Sequence, residues 1–79
     1  MKKIIEENYK VTVKRGLITE KTQIVDFLNK IDEEVKEFRD SLEFHELADI
    51  ILVCLNIAKH YNVDIEKQLI NNINKNKKR

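Results

Sequence analysis

One segment limits what this chain can fold into. Residues 42–60 are apolar on almost every side of a helix, with Phe44, Leu47, Ala48, Ile50, Ile51, Leu52, Val53, Cys54, Leu55, Ile57 and Ala58. A helix without a polar face belongs in the middle of a bundle or at a subunit interface. Its polar exceptions, Glu46, Asp49, Asn56 and His60, fall in one row interrupted by Val53. Asp49 is followed by four apolar residues. A carboxylate in such a setting is costly unless it is paired, so the row needs cations or hydrogen bonds.

The segment before it supplies a partner. Ile24, Leu28, Ile31, Val35, Phe38 and Leu42 follow alternating spacings of four and three, the seam of a bundle helix over about 20–39. Glu34 and Glu37 sit beside that seam, in a row with Phe27 and Lys30. A tight turn between Ser41 and Leu42 would fold the two helices back on each other. In that register Glu34 stands level with Asp49, and Glu37 with Glu46. Acids three apart share a helical face. Four carboxylates converging between packed helices repel unless a cation neutralises them, which outlines a divalent-metal site. Oxygen-only ligands suit Mg²⁺, with Mn²⁺ as a substitute, better than Zn²⁺. His45 and His60 are poor ligand candidates, since no Glu-x-x-His occurs and His60 suits a helix C-terminus. Glu43 is expected to cap the start of its helix. Lys30, one turn before Glu34, is either an intrahelical salt bridge or a phosphate contact.

The remaining segments complete an all-α fold. Residues 2–15 read as a first helix with Ile5, Tyr9 and Val13 on one face, although Tyr9, Val11 and Val13 also alternate like a short strand. Gly16 is its expected stop and Thr19 the expected cap of the second helix. Tyr61 and Asn62 form a turn, and Asp64 caps a fourth helix over about 64–77, with Ile65, Leu69 and Ile73 on one edge. The third helix spans about 42–60. The expectation is one domain, residues 1–79, a small four-helix bundle protomer.

Composition supports this and removes alternatives. With 42% hydrophobic and 37% charged residues, one Gly and no Pro, the chain has the aliphatic content that disordered sequences lack. A core in so short a chain is marginal, so partner subunits are an expected source of burial. No apolar run reaches membrane-spanning length, and Met-Lys-Lys-Ile-Ile-Glu-Glu-Asn lacks the uninterrupted apolar stretch expected of a signal peptide. The lone Cys54 cannot form an internal disulfide and is expected to lie inert in the core, so a reducing cytoplasm is the expected location. Net charge is +1, yet residues 31–50 carry eight of the fourteen acids, while Lys75, Lys77, Lys78 and Arg79 crowd the end. An acidic centre with a basic end fits metal plus phosphate. A nucleic-acid surface is disfavoured, because no aromatic partners or recognition motif accompany the tail.

Two motifs in order carry a resemblance. Lys30-Ile-Asp-Glu-Glu-Val-Lys-Glu37 followed by Glu46-Leu-Ala-Asp49 resembles the MazG-like all-α nucleoside triphosphate pyrophosphohydrolases. Lys75-Asn76-Lys-Lys-Arg79 is similar to the Lys…Asn-x-x-Arg that closes many small members. The likeness covers about residues 20–79. It implies Mg²⁺-dependent hydrolysis of an NTP or dNTP to a monophosphate and pyrophosphate. It also implies catalytic metal ligation by Glu34, Glu37, Glu46 and Asp49, with substrate phosphates met by Lys30, Lys75, Asn76 and Arg79. A homodimer or homotetramer with sites near the interface is implied as well. Phosphoribosyl-ATP pyrophosphohydrolase activity is the nearest alternative within this chemistry. The competing class is a helical oligomerisation or nucleotide-binding module without turnover.

Overall fold

The computed structural model describes residues 1–79 and is all-helical, with α1 (Lys2–Lys14), α2 (Ile24–Ser41), α3 (Phe44–His60) and α4 (Ile65–Asn76). The strand-like alternation of Tyr9, Val11 and Val13 is overridden, and all three lie within α1. Gly16 follows the helix at φ 76°, a left-handed conformation that costs glycine little. No helix is long and apolar enough to cross a membrane.

The second helix starts later than the apolar spacing predicts, at Ile24. Thr19 does not cap it. Its hydroxyl accepts from the Lys21 N–H at 3.1 Å, and its own N–H donates to Thr22 Oγ1 at 2.9 Å, which closes a separate turn. The cap is Gln23, whose N–H donates to the Asp26 carboxylate at 2.8 Å. That backward reach from the third helical position is the acidic half of a capping box. The buried Ile18 anchors the loop between the Thr19 turn and α1.

A two-residue turn, Leu42 and Glu43, reverses the chain into α3, which therefore begins at Phe44 and not at 42. Leu42 adopts the left-handed region at φ 57°, and its N–H donates to Phe38 O at 2.7 Å. Glu43 stands at the cap position, but its side chain makes no capping bond and pairs with His45 instead. The helices run antiparallel. Phe27 meets the rings of His60 and Tyr61 at one end, while Glu34 meets Glu46 and Asp49 towards the other.

The expected seam of α2 is only in part its buried face. Ile24, Leu28 and Leu42 are exposed and Ile31, Val35 and Phe38 half-buried, so the seam is covered only along its middle, whereas Phe27 and Glu34, from the row beside it, are buried. The cause is the position of α1, which packs on α3 and leaves α2 covered from one side only. α3 is thus the central helix, but only over its C-terminal half, where Leu55, Asn56 and Ala58 are buried. Towards its start, Phe44 is 79% exposed, and Leu47, Ile51 and Cys54 also face outward, so Cys54 is not a core residue.

The contact between α1 and α3 is polar. Asn8 Nδ2 donates to Leu52 O at 3.0 Å and to Asn56 Oδ1 at 2.8 Å, and Asn56 Nδ2 donates to Thr12 Oγ1 at 3.3 Å. His60 Nε2 lies 3.1 Å from Thr22 O, which can only accept, so that nitrogen carries the proton. Nδ1 is then free to accept from the Tyr9 hydroxyl at 2.8 Å. His60 therefore ties α1, the loop and α3 together, a larger part than a simple C-terminal cap. Half of the polar row on α3 is satisfied in this way.

α4 is set apart. The Asp64 carboxylate accepts from the Lys67 N–H at 3.1 Å, as the expected N-cap. No residue of α4 is buried, and Leu69, Ile70 and Ile73 are exposed. The Cα radius of gyration is 13.8 Å, against about 11.6 Å for a compact chain of this length. The buried apolar core, Ile18, Phe27, Leu55 and Ala58, sits around the start of α2 and the end of α3.

Candidate metal centre

The other half of the polar row on α3 points at α2. Glu34 lies on α2, and Glu46 and Asp49 lie one turn apart on α3. One carboxylate oxygen from each falls within 4.8 Å of the others. The turn at Leu42 makes this possible, because it brings the second half of α2 against the first half of α3. Helical spacing then turns residues 46 and 49 to the same side.

Glu34 is the unusual member. It is 7% exposed, an uncommon position for a carboxylate. Its Oε1 lies 3.2 Å from Lys30 Nζ, and its Oε2 is buried with no hydrogen-bond partner. Buried polar atoms are nearly always satisfied, so an orphaned carboxylate oxygen signals a ligand or strain. Glu46 and Asp49 are half-buried. Glu46 Oε1 lies 3.3 Å from His45 Nε2, and His45 Nδ1 lies 3.2 Å from Glu43 Oε2. Asp49 makes no ion pair.

Lys30 touches the rim of the group. Its ammonium also approaches Glu33 Oε1 at 3.7 Å. The hydrogen bond to Glu34 holds its pKa above the usual lysine value of 10.5; partial burial opposes this, and the charges of Glu33, Glu34 and Glu37 add to it.

Other expected residues are not gathered here. Glu37 is exposed and lies outside the trio. Lys75 and Asn76 end α4, and Arg79 is the last residue. All three are exposed and make no ion pair with the acids. His45 is the residue the sequence reading passed over. Its place between Glu43 and Glu46 is visible in the chain, but its contact with both requires Glu43 to stand at the helix boundary.

Three oxygen donors from two helices, one buried and unpaired, match the requirements of a hard divalent cation. Mg²⁺ is typically held by one or two carboxylates, with water and phosphate filling its other positions. The residues present fit that ion. No nitrogen or sulfur donor belongs to the group, which disfavours Zn²⁺. No family model, curated protein or solved structure matches the chain, so the resemblance to the MazG-like enzymes rests on its own residues.

Proposed function

We propose that the protein is a Mg²⁺-dependent nucleotide pyrophosphohydrolase, converting an NTP or dNTP and water to the monophosphate and pyrophosphate. The observation that carries this reading is the buried Glu34 carboxylate, which has an unpaired Oε2 and lies in one cluster with those of Glu46 and Asp49. These three residues would hold the ion, and Glu37, outside the trio, would add negative charge beside Lys30. Bound there, Mg²⁺ would withdraw charge from the phosphate chain and favour attack by water. Mn²⁺ would serve in its place.

The chain's own groups have distinct parts. Glu34, Glu46 and Asp49 fix the position of positive charge through two helices that are braced by the hairpin. Lys30 stands beside them to neutralise a phosphate oxygen, and such prearranged charge is where rate enhancement arises. Lys75, Asn76 and Arg79 extend the phosphate site only if assembly brings α4 to the acids. The uncovered apolar surfaces of α2, α3 and α4 support a homodimer or homotetramer as the working form. Light scattering during size-exclusion chromatography measures that state.

The test is pyrophosphate release from a panel of common and damaged NTPs and dNTPs, and from phosphoribosyl-ATP, with Mg²⁺ or with EDTA. Release in Mg²⁺ alone, abolished in Asp49→Asn, is the expected result. Silence across the panel from a folded protein overturns it. One observation favours the second reading, a non-catalytic oligomerisation or nucleotide-binding module: the basic end of α4 shares no ion pair with the acids. That reading predicts silence in the same assay.

A further inference from the structure

Among the three clustered carboxylates, cations are unevenly distributed. Asp49 meets none, Glu46 meets only the exposed imidazole of His45, whose charge depends on protonation, and Glu34 meets the Lys30 ammonium at 3.2 Å from Oε1. The other oxygen of Glu34 is buried, bonded to nothing, on a side chain that is 9% exposed. A lysine thus occupies one oxygen of the most buried acid, the second has no partner, and the carboxylate shares a cluster within 4.8 Å with those of Glu46 and Asp49. That geometry is strained electrostatically in a specific way. One positive charge, placed at the edge, serves a group of three negative ones.

A divalent cation entering this space would place its charge beside the ammonium, and two cations on one carboxylate repel. Lys30 has room to yield. Its side chain is 47% exposed, and its four-carbon stem is flexible, so the ammonium can swing into water without crossing a packed core. Glu33, on the exposed side at 3.7 Å, offers a resting partner. Resting on the metal-site reading above, we propose that Lys30 is a tethered counter-ion. It neutralises Glu34 in the ion-free protein and is displaced when a divalent cation enters. Displacement frees its ammonium, at the rim of the site, to meet an incoming phosphate oxygen. The salt bridge and the phosphate contact are then two successive states of one residue, and the lysine competes with metal until a phosphate gives it another partner.

The competition is measurable on the full chain without turnover. Wild type, Lys30→Met, Lys30→Gln and Lys30→Arg are titrated with Mn²⁺ at equal protein concentration, and free Mn²⁺ is followed by electron paramagnetic resonance. A displaced counter-ion requires Lys30→Met and Lys30→Gln to bind Mn²⁺ more tightly, by about tenfold for a partly screened charge. Lys30→Arg, which keeps the charge, binds no tighter than wild type. In EDTA the two neutral variants melt below wild type, because Glu34 has lost its cation. Unchanged or weaker Mn²⁺ binding by both neutral variants overturns the proposal, leaving Lys30 an ordinary helix bridge or an orienting group for Glu34. Absence of Mn²⁺ binding by wild type and all variants overturns the metal site itself, a separate failure.

Discussion

Replacing Glu34 by Gln removes one charge from the trio while keeping the side chain's shape. At the 4.8 Å limit that bounds the group, each carboxylate pair repels by about 3.5 kcal/mol at an effective dielectric near 20. Glu34 takes part in two such pairs. Glu46 and Asp49 are half-buried, so water still screens part of this, and about half of it or less reaches the folded state. Against the gain stands the loss of the Lys30 pair, about 1 kcal/mol or less for a partner so exposed. The net expectation for the ion-free protein is stabilisation by about 1–2 kcal/mol. For a chain of this length each kcal/mol moves the melting midpoint by about 6 °C, so the rise should be about 6–12 °C. Thermal melts followed by circular dichroism, in EDTA at near-neutral pH and fixed protein concentration, read it directly. Added Mg²⁺ should raise the wild-type midpoint and leave Glu34→Gln nearly unmoved, since binding to the native state stabilises it by mass action. If Glu34→Gln melts at or below wild type in EDTA, the three carboxylates do not repel one another, and the reasoning fails.

Other perturbations separate the parts of the molecule. Asp49→Asn should abolish Mn²⁺ binding measured by calorimetry, whereas Glu37→Gln, outside the trio, should change it only a few-fold. Asn56→Leu removes one of the two bonds of Asn8 and the donor to Thr12, while Asn8–Leu52 O and Thr12–Asn8 O persist, and should cost about 1–2 kcal/mol, read by urea unfolding. Leu42→Gly relieves a left-handed leucine whose side chain is 70% exposed, and should add about 0.5–1 kcal/mol in the same assay. Lys30 has a folded pKa above its unfolded value of 10.5. Its stabilising contribution is therefore complete below that pH and is lost as pH rises through the folded value. The midpoint difference between wild type and Lys30→Met should be flat from neutrality to mildly alkaline pH and should shrink only above 10.5.

Helix content was legible because periodicity, a single glycine and Asp64 agreed with one another. The trio was legible in part. Two acids on an otherwise apolar helix had to face something, and the hairpin made Glu34 that partner. Glu37 stays exposed outside the trio, although the same three-residue spacing keeps Glu46 and Asp49 together, so spacing alone did not decide it. The seam of α2 was legible only in part, with Ile31, Val35 and Phe38 half-buried and its ends exposed. Apolar spacing shows which face can be buried, not which face this chain alone covers, and only the position of α1 decides between them. Thr19 lost to Gln23 because a threonine pair closed its own turn first. His60 and Asn56 read as part of the same row as the acids, but their partners, Asn8, Thr12 and Tyr9, lie in the segment where the pattern was ambiguous.

The polar contact between α1 and α3 has a mechanical consequence. Apolar surfaces tolerate sliding, whereas the bonds from Asn8, Thr12 and Tyr9 to Leu52 O, Asn56 and His60 fix one axial position. They hold α1 on the half of α3 where Leu55 and Ala58 are buried, and His60 reaches on to Thr22 O just before α2. At the other end the two-residue turn of Leu42 and Glu43 joins α2 to α3 directly. The carboxylates lie between these two ties, so the fold and not the entering cation sets the distance between the helices that carry them.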